Sequence, residues 1–234
     1  MNQFERTERL IGKTGLARLK NAHVAVFGLG GVGGHCAEAL CRAGIGRLTI
    51  VDGDEVALSN LNRQLVAAHS TIGRKKAHVM RERLLDINPD ADISAQDIYF
   101  GKTTLNSFDF GQYDYVADCI DSVSDKLLLI TTAKQANAGI ISAMGAGNKL
   151  QTAFEVADIS KTSVCPLARV IRTGLRKSGI ETGLKCVYSK EPPIKHEPAC
   201  KCDACAAVPA SISFVPPVSG LTLAGEIIRD LLSL

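Results

Sequence analysis

Gly28-Leu-Gly30-Gly31-Val-Gly33-Gly34 is the stretch on which the reading of this chain turns. It follows a short, apolar, β-branched run, Ala22-His-Val-Ala-Val-Phe-Gly28. It precedes a segment, Val32 to Ala43, that offers Ala39, Leu40 and Ala43 for burial. The order is strand, glycine turn, helix. Glycines at 28, 30, 31 and 33 let a backbone approach a phosphate chain, and the following helix N-terminus supplies free N–H donors and partial positive charge. Asp52 closes the next apolar run, Arg47-Leu-Thr-Ile-Val-Asp52, 24 residues after Gly28, where a carboxylate can accept hydrogen bonds from ribose hydroxyls. A nucleotide is the expected ligand. Glycine spacing alone does not separate NAD from ATP.

Outward from this unit the alternation continues. A helix is expected over Gly73 to Ile87, a weak strand over Asp92 to Ala95, a strand over Tyr113 to Ile120, a helix over Val123 to Asn137 and a strand over Gly139 to Ala143. That pattern predicts an α/β fold with a doubly wound, Rossmann-like, mostly parallel sheet. Beyond Gly147 the pattern changes to a strand within Lys149 to Ile159, a helix over Pro166 to Lys177 and a strand over Lys185 to Ser189, expected as antiparallel additions in the C-terminal part. A Pro-, Lys- and Cys-rich loop covers Glu191 to Ala206, and an apolar helix covers Pro217 to Leu232. No linker separates a second domain. Residues 1–234 read as one domain, with a nucleotide-binding core over 1–145 and an extension over 146–234 that carries a Cys-rich loop, 186–206.

Composition removes several classes. The 234 residues are 46% hydrophobic and only 5% aromatic, with no Trp, which leaves little for a single-strand platform of stacked rings. Lys+Arg 27 against Asp+Glu 24 gives a net charge of +3, too weak alone to demand a polyanion. The polar start, MNQFERTERL, does not resemble a signal peptide, and Pro209, Pro216 and Pro217 interrupt the longest charge-free stretch. A cytoplasmic protein with no membrane association and reduced thiols is expected.

The side chains beyond Asp52 favour ATP over NAD. In Asp52-Gly-Asp54-Glu-Val-Ala-Leu-Ser59-Asn60-Leu-Asn62-Arg63-Gln64, followed by Lys76, Arg63 offers a fork and Lys76 a point charge to phosphates, while Asn60 and Gln64 can orient them. Arg74 and Lys75 read as a solvated helix face. Asp121 ends the Tyr115 to Asp121 strand on the edge where open α/β sheets bind ligands, and it suits Mg²⁺ held against phosphate oxygens. The lesser alternative is a helix cap, by Asp121 or Ser122, on the helix that starts at Val123.

The pieces GLGGVGG (28–34), DGDEVALSNLNRQ (52–64), Lys76 and DCIDS (118–122), in this order, resemble the ATP-dependent, ThiF-like adenylating domain of the ubiquitin-activating enzyme superfamily. The resemblance implies that Asp52 holds ribose with Asp54 nearby. It gives the triphosphate to Asn60, Arg63, Gln64 and Lys76, and Mg²⁺ to Asp121. Arg6 matches the arginine that reaches the γ-phosphate of the neighbouring subunit, which implies a homodimer. Arg6, Arg63, Lys76 and Asp121 are then the catalytic set. Six further segments are similar to the tRNA threonylcarbamoyladenosine dehydratase family: Phe4 to Gly12, Ala143 to Lys149, Asp158 to Thr162, Pro166 to Arg169, Cys186 to Pro192 and Ser213 to Gly220. That resemblance implies a tRNA substrate whose N6-threonylcarbamoyladenosine carboxylate is activated by ATP and cyclised with loss of water. The cations Lys161, Arg169, Arg172, Arg176, Lys177 and Lys185 fit a tRNA partner and fit a solvated surface nearly as well. Two alternatives stand beside this reading. One is adenylation of the C-terminal glycine of a ubiquitin-like sulfur carrier, with a sulfur-relay protein as partner; the other is a nucleotide-binding sensor without turnover.

Eight cysteines complete the inventory. Cys36, Cys41 and Cys119 sit in apolar contexts and read as core. Cys186, Cys200, Cys202 and Cys205 could make a four-thiolate structural Zn²⁺ site or stand as free or redox-active thiols.

Overall fold

A computed structural model describes residues 2–195 and 209–234. Its centre is a seven-stranded sheet in the order β3-β2-β1-β4-β5-β7-β6. The strands are β1 (His23–Phe27), β2 (Arg47–Val51), β3 (Asp92–Gln96), β4 (Tyr115–Asp118), β5 (Gly139–Ala143), β6 (Glu155–Asp158) and β7 (Lys185–Tyr188). All neighbours run parallel except β6, which is antiparallel to β7. The expected doubly wound sheet is present, and its antiparallel addition is one strand at the far edge.

Side chains alternate along β1: Val24 and Val26 enter one core, Ala25 and Phe27 the other. The first core lies under α1 (Glu5–Asn21), α2 (Gly33–Ala43), α3 (Lys76–Ile87) and the C-terminal α6 (Val215–Leu232). The second lies under α4 (Val123–Gln135), α5 (Pro166–Lys177) and an aromatic cluster in which Phe27, Phe100, Phe108 and Phe110 meet at 5.1–6.4 Å between ring centroids. These contacts, mostly edge-on or tilted, add to area burial and fix the connection from β3 to β4 against the sheet. Among the described residues, no helix is long and apolar enough to cross a membrane.

Three boundaries differ from the sequence expectation for identifiable reasons. Residues 73–75 do not begin α3, because Val56 donates its N–H to the Arg74 carbonyl at 2.9 Å and Lys75 bridges Glu55. The strand expected within 149–159 is confined to Glu155–Asp158, since the Glu191 carboxylate takes the Leu150 and Gln151 N–H groups before a ladder can form. The connection before β4 closes in a turn over Phe110–Gln112, capped by Asp109, so the strand starts at Tyr115.

Sheet order reverses between β1 and β4, with β2 and β3 built outward on one side and β5 and β7 on the other. At such a switch point the loops leaving neighbouring strand ends diverge and open a crevice. Here those loops are 28–32 after β1 and 119–122 after β4.

Candidate active site

A cavity of about 700 Å³ fills this crevice. Gly28, Gly30, Gly31 and Val32 form its floor, and Asp52, Gly53 and Asp54 follow from β2. Gly28 has φ 88°, and a Cβ there would stand 2.8 Å from the Cys119 carbonyl oxygen. Only glycine fits that turn. Gly30 is open, with a Cβ meeting nothing nearer than the Gln64 amide nitrogen at 3.8 Å. Gly33 corrects the sequence reading: it is buried, does not line the cavity, and a Cβ on it would run into the Gly28 carbonyl oxygen. It lets α2 pack close behind the loop and is not placed to contact ligand.

Asp52 does more than the sequence suggests. Its Oδ2 accepts the Leu29 N–H at 2.6 Å and its Oδ1 the Asp54 N–H at 2.9 Å, so one carboxylate ties the glycine loop to the end of β2. Burial raises its pKa, opposed by the Lys76 charge and these two N–H bonds. Each oxygen keeps a lone pair for a ribose hydroxyl. Asp52→Ala is expected to weaken ATP binding by roughly 1.5–3 kcal/mol, through lost ribose bonds and a released loop. Isothermal calorimetry measures this directly, and an unchanged affinity would remove Asp52 from the site.

Lys76, at the first turn of α3, is 4% exposed and donates to Asp54 Oδ2 at 2.7 Å. Tyr99 donates its hydroxyl to Asp54 Oδ1 at 2.7 Å. Burial would raise the Asp54 pKa, but these two bonds outweigh it and hold the carboxyl below its ordinary value. Sequence reasoning missed Tyr99; its only signal is a position just past the C-terminal end of β3. Arg63 is half-buried on the cavity wall and among the described residues bonds only uncharged partners, the Ser59 carbonyl at 3.1 Å and Asn62 Oδ1 at 2.8 Å. Its charge is therefore uncommitted. Asn60 lines the same wall and its Oδ1 accepts the Ala57 N–H at 3.0 Å.

Gln64 supplies the clearest mark of a ligand site. It is 8% exposed at the cavity wall, and among the described residues its Oε1 has no hydrogen-bond partner. A buried orphan amide oxygen is costly, and a ligand polar group or a water in the cavity would satisfy it.

Asp121 stands exposed at the cavity edge, without a hydrogen bond or ion pair among the described residues. It does not cap α4: Ser122 holds the N-cap position and bonds Asp125 at 2.8 Å. Nearby lies an arrangement that sequence reasoning missed. Asp118, Lys126 and Ser142 are fully buried, with Lys126 Nζ 2.8 Å and Ser142 Oγ 2.5 Å from Asp118 Oδ2. Asp118 Oδ1 accepts the Ile120 N–H at 3.2 Å. This buried ion pair clamps the segment that presents Cys119, Ile120 and Asp121.

Arg6 and Cys186 both lie away from this cavity. Arg6, on the first turn of α1, is exposed and does not line the cavity. Cys186 is wholly buried in β7, where desolvation pushes its thiol well above the ordinary range. It packs among core residues on its side of the sheet. Cys200, Cys202 and Cys205 lie outside the described residues, and among those described no group of three potential ligands is placed to hold a metal. Cys36 and Cys41 are buried as expected; Cys119 is half-exposed and lines the cavity.

A parallel sheet with a glycine loop at its switch point, and with cations and an orphan amide in the crevice, defines a nucleotide-binding α/β protein arranged for a phosphate chain. A model described as the ThiF family matches residues 4–234, and the chain belongs to that family. It is 42% identical over 243 residues to the tRNA threonylcarbamoyladenosine dehydratase of Bacillus subtilis, covering 99% of this chain and 95% of the relative. Among solved structures it is similar to Escherichia coli tRNA N6-threonylcarbamoyladenosine dehydratase in complex with AMP, with a TM-score of 0.90 and 31% identity over 99% of this chain and 94% of that one. The same enzyme in complex with ATP matches with a TM-score of 0.89 and 30% identity over the same shares.

Proposed function

We propose that this chain is an ATP-dependent tRNA threonylcarbamoyladenosine dehydratase. The observation that carries the reading is a switch-point cavity bearing uncommitted Arg63, buried Lys76 and unpaired Asp121, in a chain similar along nearly its whole length to enzymes of that name. ATP is the nucleotide supported by the bound forms of the Escherichia coli structures.

The chemistry needs these residue types. A free carboxylate is a poor electrophile because its leaving group would be oxide. Attack of a carboxylate oxygen on a phosphorus of ATP breaks a phosphoanhydride bond, expelling pyrophosphate from the α-phosphorus or ADP from the γ-phosphorus, and leaves an acyl-adenylate or acyl phosphate. The carbamoyl group of the same molecule then attacks the acyl carbon and gives up a proton to solvent, AMP or inorganic phosphate departs with the former carboxylate oxygen, and the ring closes. Both reacting ends belong to one substrate, so closure gains the advantage of proximity and requires no protein nucleophile. Activation brings two anions together, and Arg63 and Lys76 offset that repulsion. The solvent-facing, unpaired carboxylate of Asp121 fits Mg²⁺, which takes one or two carboxylates and phosphate oxygens. When bound, the ion supplies charge neutralisation at the phosphates.

Arg6 acts in this reading from the partner subunit of a homodimer. Its place on an exposed first turn, away from its own cavity, supports that arrangement. Mixing Arg6→Ala with Asp121→Ala subunits is expected to restore activity, because exchanged dimers hold one site with both lesions and one with neither. Failure to recover while the subunits demonstrably exchange would contradict it.

For tRNA, the basic surface is smaller than sequence counting suggests. Arg172 is spent on the Thr162 carbonyl and hydroxyl at 2.9 and 2.7 Å, and Lys185 on Asp230 at 2.6 Å and Glu226 at 3.3 Å. Arg169, Arg176 and Lys177 remain on the exposed face of α5, without ion pairs among the described residues. This reading places the enzyme in the cytoplasm. The test is substrate dependence: AMP or ADP formation that requires threonylcarbamoylated tRNA supports it, whereas formation that requires a ubiquitin-like carrier protein supports adenylation of a protein C-terminus.

A further inference from the structure

Three lysines are buried among the described residues: Lys76, Lys126 and Lys149. The first two are paired with carboxylates, Asp54 at 2.7 Å and Asp118 at 2.8 Å. Lys149 is 4% exposed and has no carboxylate partner among the described residues; its ammonium donates to the Glu191 backbone carbonyl. The Glu191 carboxylate lies near enough to favour the charged lysine, yet its oxygens accept the Leu150 and Gln151 N–H groups at 2.9–3.2 Å. Among the described residues only one of the three N–H donors of Lys149 is matched, which leaves the other two to a water or an anion in the cavity.

Its location identifies that anion. Lys149 lines the same cavity as the nucleotide-binding residues, on the β5 side of the switch point, whereas Asp52, Asp54 and Lys76 approach from the β2 side. Met144, Cys165, Leu167 and Pro209 line the cavity beside the same loop, Cys165 and Leu167 packing near Gly145 and Pro209 near Gly147. The loop is held firmly: Asn148 adopts φ 60°, its side chain accepts the Ala210 N–H at 2.7 Å, and its carbonyl accepts the Ile194 N–H at 2.8 Å. Lys149 is therefore presented without the ordering cost that a surface lysine incurs on binding.

We infer that Lys149 binds the carboxylate of the acyl substrate, holding it on the β5 side of the cavity against the triphosphate. This deepens the dehydratase reading and rests on it. One cation per anion then lets a carboxylate and a phosphate chain share a single crevice. Burial, which holds the lysine pKa below its ordinary value despite the Cys165 and Glu191 charges, makes a bare ammonium there still less comfortable.

The test measures tRNA affinity with AMP in place of ATP, so that no turnover occurs, and compares tRNA bearing threonylcarbamoyladenosine with the same tRNA carrying unmodified adenosine. The wild-type protein is expected to prefer the modified tRNA by about tenfold, the size of one hydrogen-bonded charge pair. Lys149→Met should abolish that preference while leaving affinity for AMP and for unmodified tRNA within about twofold; Lys149→Arg should keep part of it. A preference that survives in Lys149→Met, or its absence in the wild type, would overturn the assignment. So would an equal loss for both tRNAs, which would give the lysine to backbone phosphate. Loss of AMP affinity in Lys149→Met would also overturn it, making the residue structural. Failure of the dehydratase reading shows separately, as a wild-type protein that prefers modified tRNA yet forms no cyclised nucleoside.

Discussion

Lys76→Ala and Asp121→Ala are each expected to lower turnover at saturating ATP and tRNA by about 10²–10³-fold, the scale of removing one preorganised group that meets developing charge. For Lys76 the loss is catalytic and not a loss of fold. Its partner Asp54 is 47% exposed at the side chain and will be rehydrated when the ammonium is gone. Asp121 has no partner among the described residues to orphan. Single-turnover product formation, read beside thermal denaturation, separates the two effects. A variant that keeps more than about a tenth of wild-type turnover would take that residue out of the transition state.

The second large effect falls on stability. Lys126 and Asp118 are both fully buried, so Lys126→Met leaves a carboxylate without its counter-charge and is expected to cost about 3–5 kcal/mol. Ser142 and the Ile120 N–H still need an acceptor, so the double variant Lys126→Met with Asp118→Asn should recover part of that loss, the amide oxygen replacing the carboxylate. Urea unfolding checks both. A loss under about 1 kcal/mol in the single variant would show that the pair is not what holds the β4 to α4 connection.

What the sequence reveals and what it hides follow from the range of the interactions concerned. The β1–glycine–α2 unit and Asp52 are legible because turn chemistry and hydrophobic period act over neighbouring residues. Gly28 and Gly33 bear this out in different ways, one through its φ of 88° and one through close packing on the Gly28 carbonyl. Helix α1 escapes the sequence reading: its face is largely polar, and Gly12, at φ 75°, breaks the helical geometry inside it. Lys126 reads as a solvated residue in any local window. Only the convergence of β4, α4 and β5 places it beside Asp118 and Ser142. Arg172 and Lys185 are overcounted as tRNA contacts for the same reason, their partners lying on other elements. Lys149 stands in a segment, Ala143 to Lys149, that marks family likeness without a role. Its significance lies in burial without a carboxylate partner among the described residues, which no sequence shows.

Mass spectrometry of nucleosides, after the purified protein is incubated with ATP, Mg²⁺ and tRNA bearing N6-threonylcarbamoyladenosine, tests the dehydratase activity most directly. Conversion of that nucleoside to a form lighter by one water, dependent on ATP and absent with Asp121→Ala, is the predicted result. An unchanged nucleoside, with ATP consumed only when a ubiquitin-like carrier protein is supplied, would contradict it.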